Sequence, residues 1–308
     1  MRIIFMGTPD FAVATLDTLI NAGEEVVAVV TTPDKPAGRG QKLHESAVKQ
    51  YAVAHNIPVL QPEKLRDPQF LESLKSYAAD VQVVVAFRML PEVVWNMPPQ
   101  GTINVHASLL PNYRGAAPIN HAVMNGETVS GVTTFLLQHE IDTGNVLLQQ
   151  EVDIADTDNA GTLHDNLMHA GAELLLRTLE GIKNKTITPV PQSEMTNDEL
   201  KHAPKIFKED GLIDWSKSGK QVYNHIRGLS PYPAAYTKLN EKVLKIYEAS
   251  ILDEKPTISA GQWETDHKTF LRFAALDSYL DLKHIQIEGK KKMTVDEFLR
   301  GYRFPTEQ

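Results

Sequence analysis

The sequence predicts an α/β protein: a Rossmann-like, mostly parallel sheet with helices on both faces, followed by a smaller OB-like β-barrel domain. Three observations support this prediction. Strands alternate with amphipathic helices over the first part of the chain, a polar stretch with several prolines follows, and short alternating strands fill the last third. The length of 308 residues also fits two domains at roughly 150 residues each.

The first 188 residues read as one domain in which strands and helices alternate. Alternation of this kind produces parallel strands that are covered on both faces. We predict strands over 2–7, 24–32, 57–60, 81–87 and 101–106, an antiparallel pair over 131–138 and 146–152, and helices over 11–20, 46–55, 68–77, 116–125 and 162–181.

The last third of the chain has a different pattern. Residues 189–204 lose periodicity and contain several prolines, which predicts a linker that ends near residue 205. In 205–308, short alternating strands predict the barrel, and Thr294 with Glu297 forms a capping box for a final helix. The predicted strands cover 235–239, 243–251, 269–275 and 280–288.

Composition excludes several classes of protein. The chain is 42% hydrophobic and 23% charged, as in ordinary globular proteins, and contains no Cys that could supply disulfides, Cys-ligated zinc or a thiol nucleophile. No apolar run approaches the roughly 18 residues of a membrane span, and the N-terminus does not resemble a signal peptide. We therefore expect a cytoplasmic protein without a membrane segment.

The charge is unevenly distributed. The net charge is −8 for the whole chain, but residues 1–204 carry 14 basic and 24 acidic side chains, whereas residues 205–308 carry 17 and 15. The first part has a net charge of −10 and the second of +2, so an anionic partner is expected to prefer the second part.

The first strand-to-helix turn argues against a nicotinamide enzyme. Gly7 to Ala12 contains a single Gly where a dinucleotide fingerprint requires three, and Pro9 removes a backbone donor that would face a pyrophosphate.

The densest group of polar residues follows the predicted strand 101–106. Asn104 and His106 are two residues apart, so both side chains lie on one face of the strand while Val105 lies on the other. The carboxyl ends of parallel strands are where open α/β sheets bind ligands. Alternatively, this amide and imidazole only hydrogen-bond a loop.

An acidic turn, Glu140 to Gly144, lies between the two predicted antiparallel strands. Asp-Thr-Gly is also ordinary turn chemistry, so Asp142 alone does not indicate catalysis. Beside His106, its carboxylate would orient the imidazole and favour the protonated form. Asn104, His106 and Asp142 then offer an oxyanion donor, a proton carrier and an orienting carboxylate.

Several motifs together make the sequence similar to the methionyl-tRNA formyltransferase family over essentially its whole length. They occur in the family's order and include both the polar residues above and a second-domain signature. The motifs span residues 7–12, 33–40, 104–111, 114–119, 142–144, 213–215 and 230–235. The segment Phe87 to Pro91 departs from the family's pattern, because it is one residue shorter and has Arg88 in place of Gly.

The resemblance implies transfer of the formyl group of 10-formyltetrahydrofolate to the α-amine of methionine on initiator tRNA. Asn104 and His106 would stabilise the tetrahedral oxyanion, and Asp142 would hold His106 and relay a proton. No metal is required, and we expect a monomer. The segment implied to line the folate pocket consists of Ser108, Leu109, Leu110 and Pro111.

The resemblance also implies cations that contact tRNA. A Pro- and Gly-rich loop with Lys35, Arg39 and nearby Lys42 would reach the acceptor stem, although a solvated surface loop is the alternative. Lys205 and Lys208 stand at the entrance of the second domain. Arg227 and the run Lys290 to Lys292 are weaker candidates, since lysine runs commonly form solvated faces.

Two other functions fit parts of the sequence. A formyltransferase for an amino sugar would share the Asn-x-His and Asp-x-Gly residues but should lack the Arg39 loop and a basic second domain. A noncatalytic tRNA-binding or folate-binding protein would leave no reason for Asn104, His106 and Asp142 to occur together.

Overall fold

The computed structural model describes residues 1–37, 42–196 and 199–304, apart from the side chains of Ala37 and Lys42. The chain forms two compact units. The first consists of the described residues of Met1–Gly115, Val129–Asp153 and His164–His202, and the second of those of Ala116–Thr128, Ile154–Leu163 and Ala203–Gln308.

The first unit is built on a seven-stranded sheet. The strands in the first part of the chain are β1 (Arg2–Gly7), β2 (Glu25–Val30), β3 (Lys35–Ala37), β4 (Lys42–His44), β5 (Val59–Leu60), β6 (Val81–Val85), β7 (Thr102–His106), β8 (Arg114–Gly115), β9 (Val129–Leu136), β10 (Val146–Asp153) and β11 (His202–Ala203). The strand order in the sheet is β10-β9-β7-β6-β1-β2-β5. Strands β5, β2, β1, β6 and β7 are parallel, whereas β9 runs antiparallel to β7 and to β10. The predicted mostly parallel sheet is confirmed.

The central strands are hydrophobic on both faces because helices cover the sheet. Every residue of β6 is buried, Gln82 included. The helices of the chain are α1 (Asp10–Asn21), α2 (Ala47–Ala54), α3 (Pro68–Ser76), α4 (Glu92–Trp95), α5 (Pro118–Met124), α6 (Ala160–Lys183), α7 (Gly219–Leu229) and α8 (Val295–Gly301). The side chains of Ser46 and Asp67 accept hydrogen bonds from backbone nitrogens in the first turns of α2 and α3. These caps start the two helices close to their predicted positions.

The second unit contains an antiparallel sheet. Its strands are β12 (Ala235–Leu239), β13 (Lys242–Leu252), β14 (Trp263–Thr265), β15 (Leu271–Ala274), β16 (Tyr279–Ile287) and β17 (Met293–Thr294). They lie in the order β12-β13-β16-β15-β14, with β17 also paired to β16. Trp215 stacks on Phe273 with ring centroids 4.8 Å apart, and its indole nitrogen donates to Thr237. This curled sheet matches the predicted OB-like fold, and the predicted capping box of Thr294 and Glu297 begins α8.

Helix α7 is not predicted from the sequence, and it packs against α5 within the second unit. Gly228 lies so close to α5 that a Cβ atom there would stand 2.4 Å from the Cγ atom of Met124. The Asn120 side chain donates to the Gly228 carbonyl at 2.8 Å. This close contact requires a glycine, and the same glycine weakens the helical signal in the sequence.

The interpretation of Arg227 as a tRNA contact is corrected by its burial. Only 5% of this residue is exposed. Its guanidinium donates to the Asn224 side chain at 2.9 Å and to the carbonyls of Asp158 at 2.9 Å and Ala155 at 3.3 Å. Because its donors are used inside the protein, the Arg227 guanidinium stabilises the second unit and is shielded from solvent.

The predicted linker contains ordered contacts with the first unit. Val190 forms an antiparallel bridge with Val146, and the backbone nitrogen of Tyr113 donates to the Lys201 carbonyl at 2.6 Å. A 3₁₀ turn covers Gln192–Glu194. Part of this segment is therefore fixed beside the loop that follows β7.

Candidate active site

His106 ends β7, at the carboxyl edge of the parallel strands, and only 8% of it is exposed. Its Nε2 atom lies 3.0 Å from the carbonyl oxygen of Tyr113. A carbonyl only accepts hydrogen bonds, so Nε2 must carry a proton. Nδ1 is therefore the ring nitrogen that gains or loses a proton when His106 changes charge.

Asn104 lies two residues before His106 on the same strand and is half-buried. Strand alternation places the two side chains on one face of the sheet. Among the residues that the structure describes, none makes a hydrogen bond with the side-chain amide of Asn104. Its two N–H donors are thus available to a reacting group at this edge of the sheet.

Asp142 lies in the turn between β9 and β10, with a φ of 55°. Its Oδ2 atom accepts a hydrogen bond from the Gly115 backbone nitrogen at 3.0 Å and lies 4.0 Å from Nδ1 of His106. The turn requires Gly144, because a Cβ atom there would stand 1.6 Å from the Leu136 carbonyl oxygen. The structure therefore brings Asp142 to His106, as the sequence analysis expects.

The segment Ser108 to Pro111 begins two residues after His106 and is largely buried. Ser108, Leu110 and Pro111 are buried, and Leu109 is half-buried. The Ser108 hydroxyl donates to the Asn112 carbonyl at 2.7 Å, and Thr133 donates to the Ser108 carbonyl at 2.7 Å. These polar groups are used within the protein, and a role of the segment in folate binding stays a prediction.

A pocket of about 320 Å³ adjoins the acidic turn. Its lining is not predicted from the sequence. It includes residues of the turn that holds Asp142, together with an aromatic ring. The lining residues are Trp95, Gln138, His139, Glu140 and Thr143. Trp95 meets His139 edge to face at 5.5 Å, so the pocket combines an aromatic wall with polar loop atoms.

Arg88, in the segment that departs from the family's pattern, is fixed to a neighbouring loop. Its guanidinium donates to the carbonyls of Glu63, at 2.9 Å, and Pro62, and it lies 5.6 Å from the ring centroid of Phe87. Burial lowers the pKa of the Arg88 guanidinium.

Two of the predicted tRNA contacts of the first unit, Lys35 and Lys42, belong to a hairpin of β3 and β4. Lys35 is exposed on β3, whereas Arg39 and the side chain of Lys42 lie outside the part of the chain that the structure describes. At the base of the hairpin, Asp34 accepts from Lys49 at 2.5 Å and from Gln61 at 2.7 Å. These hydrogen bonds, first that of Lys49, hold the pKa of Asp34 below its ordinary value.

The predicted contacts of the second unit are on its surface. Lys205 and Lys208 are exposed, and the Lys205 ammonium lies 5.4 Å from the ring centroid of Phe207. In the run Lys290 to Lys292, the Lys292 ammonium lies 4.6 Å from the Tyr247 ring. These cations are accessible, and their contact with tRNA stays a prediction.

Two further features are absent from the described residues. No group of three or more His, Asp or Glu side chains there is arranged to hold a metal ion. Within the same residues, no helix has the length and apolar character that crossing a bilayer requires.

Comparison with known families defines the class of protein. Residues 1–179 match the formyl transferase family, and residues 205–303 match the formyl transferase C-terminal domain. The chain is therefore a formyl transferase with both domains of that class.

Curated relatives identify the particular family within this class. The methionyl-tRNA formyltransferase of Bacteroides fragilis is 54% identical over 98% of this chain and 95% of its own. That of Flavobacterium johnsoniae is 50% identical over 100% of this chain and 98% of its own. The chain belongs to the methionyl-tRNA formyltransferase family.

Solved structures with a similar fold are more distant in sequence. HypX from Aquifex aeolicus in complex with tetrahydrofolic acid has a TM-score of 0.66 and 19% identity, covering 98% of this chain and 48% of that one. An N-formyltransferase from Helicobacter canadensis, in complex with folinic acid and dTDP-3-aminofucose, has a TM-score of 0.67 and 20% identity, covering 95% and 100%. At these identities the likeness shows a shared fold.

Proposed function

We propose that this chain transfers the formyl group of 10-formyltetrahydrofolate to the α-amino group of methionine on initiator tRNA, with Asn104, His106 and Asp142 as its catalytic residues. One observation carries the proposal. Nδ1 of His106 lies 4.0 Å from Oδ2 of Asp142 at the carboxyl end of β7, with the Asn104 amide on the same strand face. Family membership supplies the reaction that this geometry serves.

The chemistry requires donors for a developing negative charge. Attack of a neutral amine on the formyl carbon forms a C–N bond and a tetrahedral oxyanion. The Asn104 amide and a protonated His106 donate hydrogen bonds to that oxyanion, and one such donor is typically worth about 3 kcal/mol. Asn104 makes no competing bond with a described residue, so its donors need not be released first.

The chemistry also requires a path for one proton. As the bond between the formyl carbon and the folate nitrogen breaks, the amine loses a proton and the folate nitrogen gains one. Asp142 orients the imidazole of His106 and relays this proton, directly or through water. The separation of 4.0 Å between Nδ1 and Oδ2 exceeds a direct hydrogen bond, so a relay through water fits this geometry.

The two substrates would approach from features already described. The pocket beside Trp95 and the segment Ser108 to Pro111 are the proposed surroundings of the folate, since such sites combine apolar walls with a few polar groups. Lys35, Arg39 and Lys42, with Lys205 and Lys208, are the proposed tRNA contacts.

Because initiator tRNA is used in the cytoplasm, we place the protein there. A monomer suffices, since one chain supplies all three catalytic residues.

A substrate comparison tests the proposal. Purified protein is incubated with radiolabelled 10-formyltetrahydrofolate and, in parallel, with methionyl initiator tRNA, methionyl elongator tRNA or an amino-sugar nucleotide. We expect initiator tRNA to receive label at the highest kcat/KM. Labelling of the amino sugar without labelling of tRNA would assign the chain to sugar formylation, and binding without any transfer would leave only a binding protein.

A further inference from the structure

Gln192 is a buried polar residue that the reaction described above does not use. It lies in the 3₁₀ turn Gln192–Glu194, within the segment that the sequence analysis takes as a linker, and only 4% of it is exposed. A buried glutamine side chain is costly unless both ends of its amide have partners. The partners of Gln192 all belong to the region around Asp142.

The nitrogen of the Gln192 amide faces the acidic turn. Nε2 donates to the carbonyl oxygens of Asp142 and Gly144, each at 2.8 Å. These two bonds use both N–H groups of the amide. They hold the backbone on either side of Thr143, which fixes the turn that presents the Asp142 carboxylate.

The oxygen of the same amide faces Arg114. Oε1 accepts from Nε of Arg114 at 2.9 Å and from Nη2 at 2.6 Å. Because a guanidinium only donates and a carbonyl only accepts, the amide has one chemically consistent orientation here. Arg114 therefore locks the Gln192 amide with its nitrogen towards Asp142.

The contacts close a ring around Asp142. Gln192 holds its backbone oxygen, and the backbone nitrogen of Gly115, the neighbour of Arg114, holds its carboxylate at 3.0 Å. Asp142 has a φ of 55°, a conformation that a residue with a side chain keeps only where its surroundings impose it. The ring of contacts imposes that conformation and so sets the direction of the carboxylate.

We propose that Gln192 is a positioning residue for formyl transfer, which acts by holding Asp142 towards Nδ1 of His106. The proposal rests on the proposed function, since it assigns Gln192 a role only through Asp142. Displacement of a reacting group by about 1 Å can cost about a hundredfold in rate. A change at Gln192 should therefore lower kcat while leaving the binding of both substrates in place.

Gln192→Glu tests this with the smallest change of shape. The new carboxylate still accepts from Arg114, but it cannot donate to the carbonyls of Asp142 and Gly144 and instead repels them. We expect kcat to fall about tenfold to a hundredfold. KM for methionyl-tRNA and Kd for the folate should stay within about twofold, because Gln192 touches neither in this account.

The double variant Gln192→Glu with Asp142→Asn separates positioning from general support of the fold. If Gln192 acts through Asp142, adding its change to Asp142→Asn causes no further loss of kcat. A loss that multiplies with that of Asp142→Asn would overturn the proposal, and so would a normal kcat in Gln192→Glu.

Gln82→Glu is the matched control, because Gln82 is also a buried glutamine of the first unit, at 1% exposure, and accepts from the Thr102 hydroxyl at 3.1 Å. It should lower Tm but keep kcat. If Gln192→Glu does not fold, Arg114→Met takes its place. This change releases the amide oxygen of Gln192, so kcat should fall in the same way but by a smaller factor.

The same measurements distinguish the two proposals. Full activity of Asp142→Asn would contradict the catalytic assignment of Asp142 and, with it, the role of Gln192. An inactive Asp142→Asn beside a fully active Gln192→Glu would contradict the role of Gln192 alone.

Discussion

Nδ1 of His106 lies 4.0 Å from Oδ2 of Asp142, although the two residues are 36 positions apart in the chain. The Tyr113 carbonyl occupies the other ring nitrogen at 3.0 Å, so the carboxylate faces the nitrogen that changes its protonation. The imidazole is thus held at Nε2 by the Tyr113 carbonyl, while Nδ1 lies beside the Asp142 carboxylate without a direct hydrogen bond to it.

Asn104→Ala should lower kcat about a hundredfold and change KM by no more than about threefold, because the Asn104 bond is expected to strengthen as the oxyanion forms. Steady-state kinetics with both substrates measure this. Asn21→Ala, which removes an exposed asparagine bonded to Asp17, serves as a control with normal kcat. An effect on KM alone would make Asn104 a residue that positions the substrate.

Arg39→Ala should be severely impaired on methionyl initiator tRNA, and Arg39→Lys should recover only part of the loss. The flanking glycines leave Arg39 as the large side chain of its segment, and lysine keeps the charge but lacks the planar group that stacks and forms paired hydrogen bonds. The measurement is kcat/KM for tRNA beside a folate titration, which should not change.

Arg66→Ala, at an exposed arginine of the same unit, controls for loss of charge. Equal kcat/KM for Ala, Lys and Arg at position 39 would contradict the tRNA contact and favour the alternative of a solvated surface loop.

His225 should make the second unit less stable in acid. Burial, opposed by a hydrogen bond with the backbone of Gly211, lowers the pKa of His225 below its ordinary 6.5, and its Nε2 is buried without a partner among the described residues. As pH falls below about 6.5, the unfolded chain takes up a proton that the folded chain refuses, so the free energy of unfolding decreases.

Thermal melting at pH 7.5 and pH 5.0 tests this for His225→Leu. Between pH 7.5 and pH 5.0, the Tm of the wild type should fall further than the Tm of His225→Leu. His169→Leu, at an exposed histidine, should retain the pH dependence of the wild type. The same loss of Tm in wild type and His225→Leu would show that His225 does not titrate in this way.

Short-range patterns were enough to predict the architecture and the core of the candidate site. Apolar runs such as Val81 to Val85 predict buried parallel strands, and the period of two places Asn104 beside His106. Asp142 lies in an acidic turn between two strands that is visible in the sequence, and it gains a catalytic interpretation only beside His106. These features depend on neighbours within a few residues.

Long-range contacts explain what the sequence analysis missed. Gln192 has its role because Asp142, fifty positions earlier, accepts from its amide, and no periodicity signals such a pair. Arginine usually lies on the surface of a protein, but the guanidinium of Arg227 donates hydrogen bonds to three partners inside the second unit. Gly228 weakens the helical pattern of α7 at the position where close approach to Met124 demands it.

The pairing of His106 with Asp142 is tested most directly by single-turnover formyl transfer to methionyl initiator tRNA in His106→Ala, Asp142→Asn and the double variant. Each single change should reduce the rate at least about a hundredfold with unchanged Tm, and the double variant should be no slower than the slower single one. Near-normal transfer in either single variant, with unchanged melting, would contradict the assignment of that residue to catalysis.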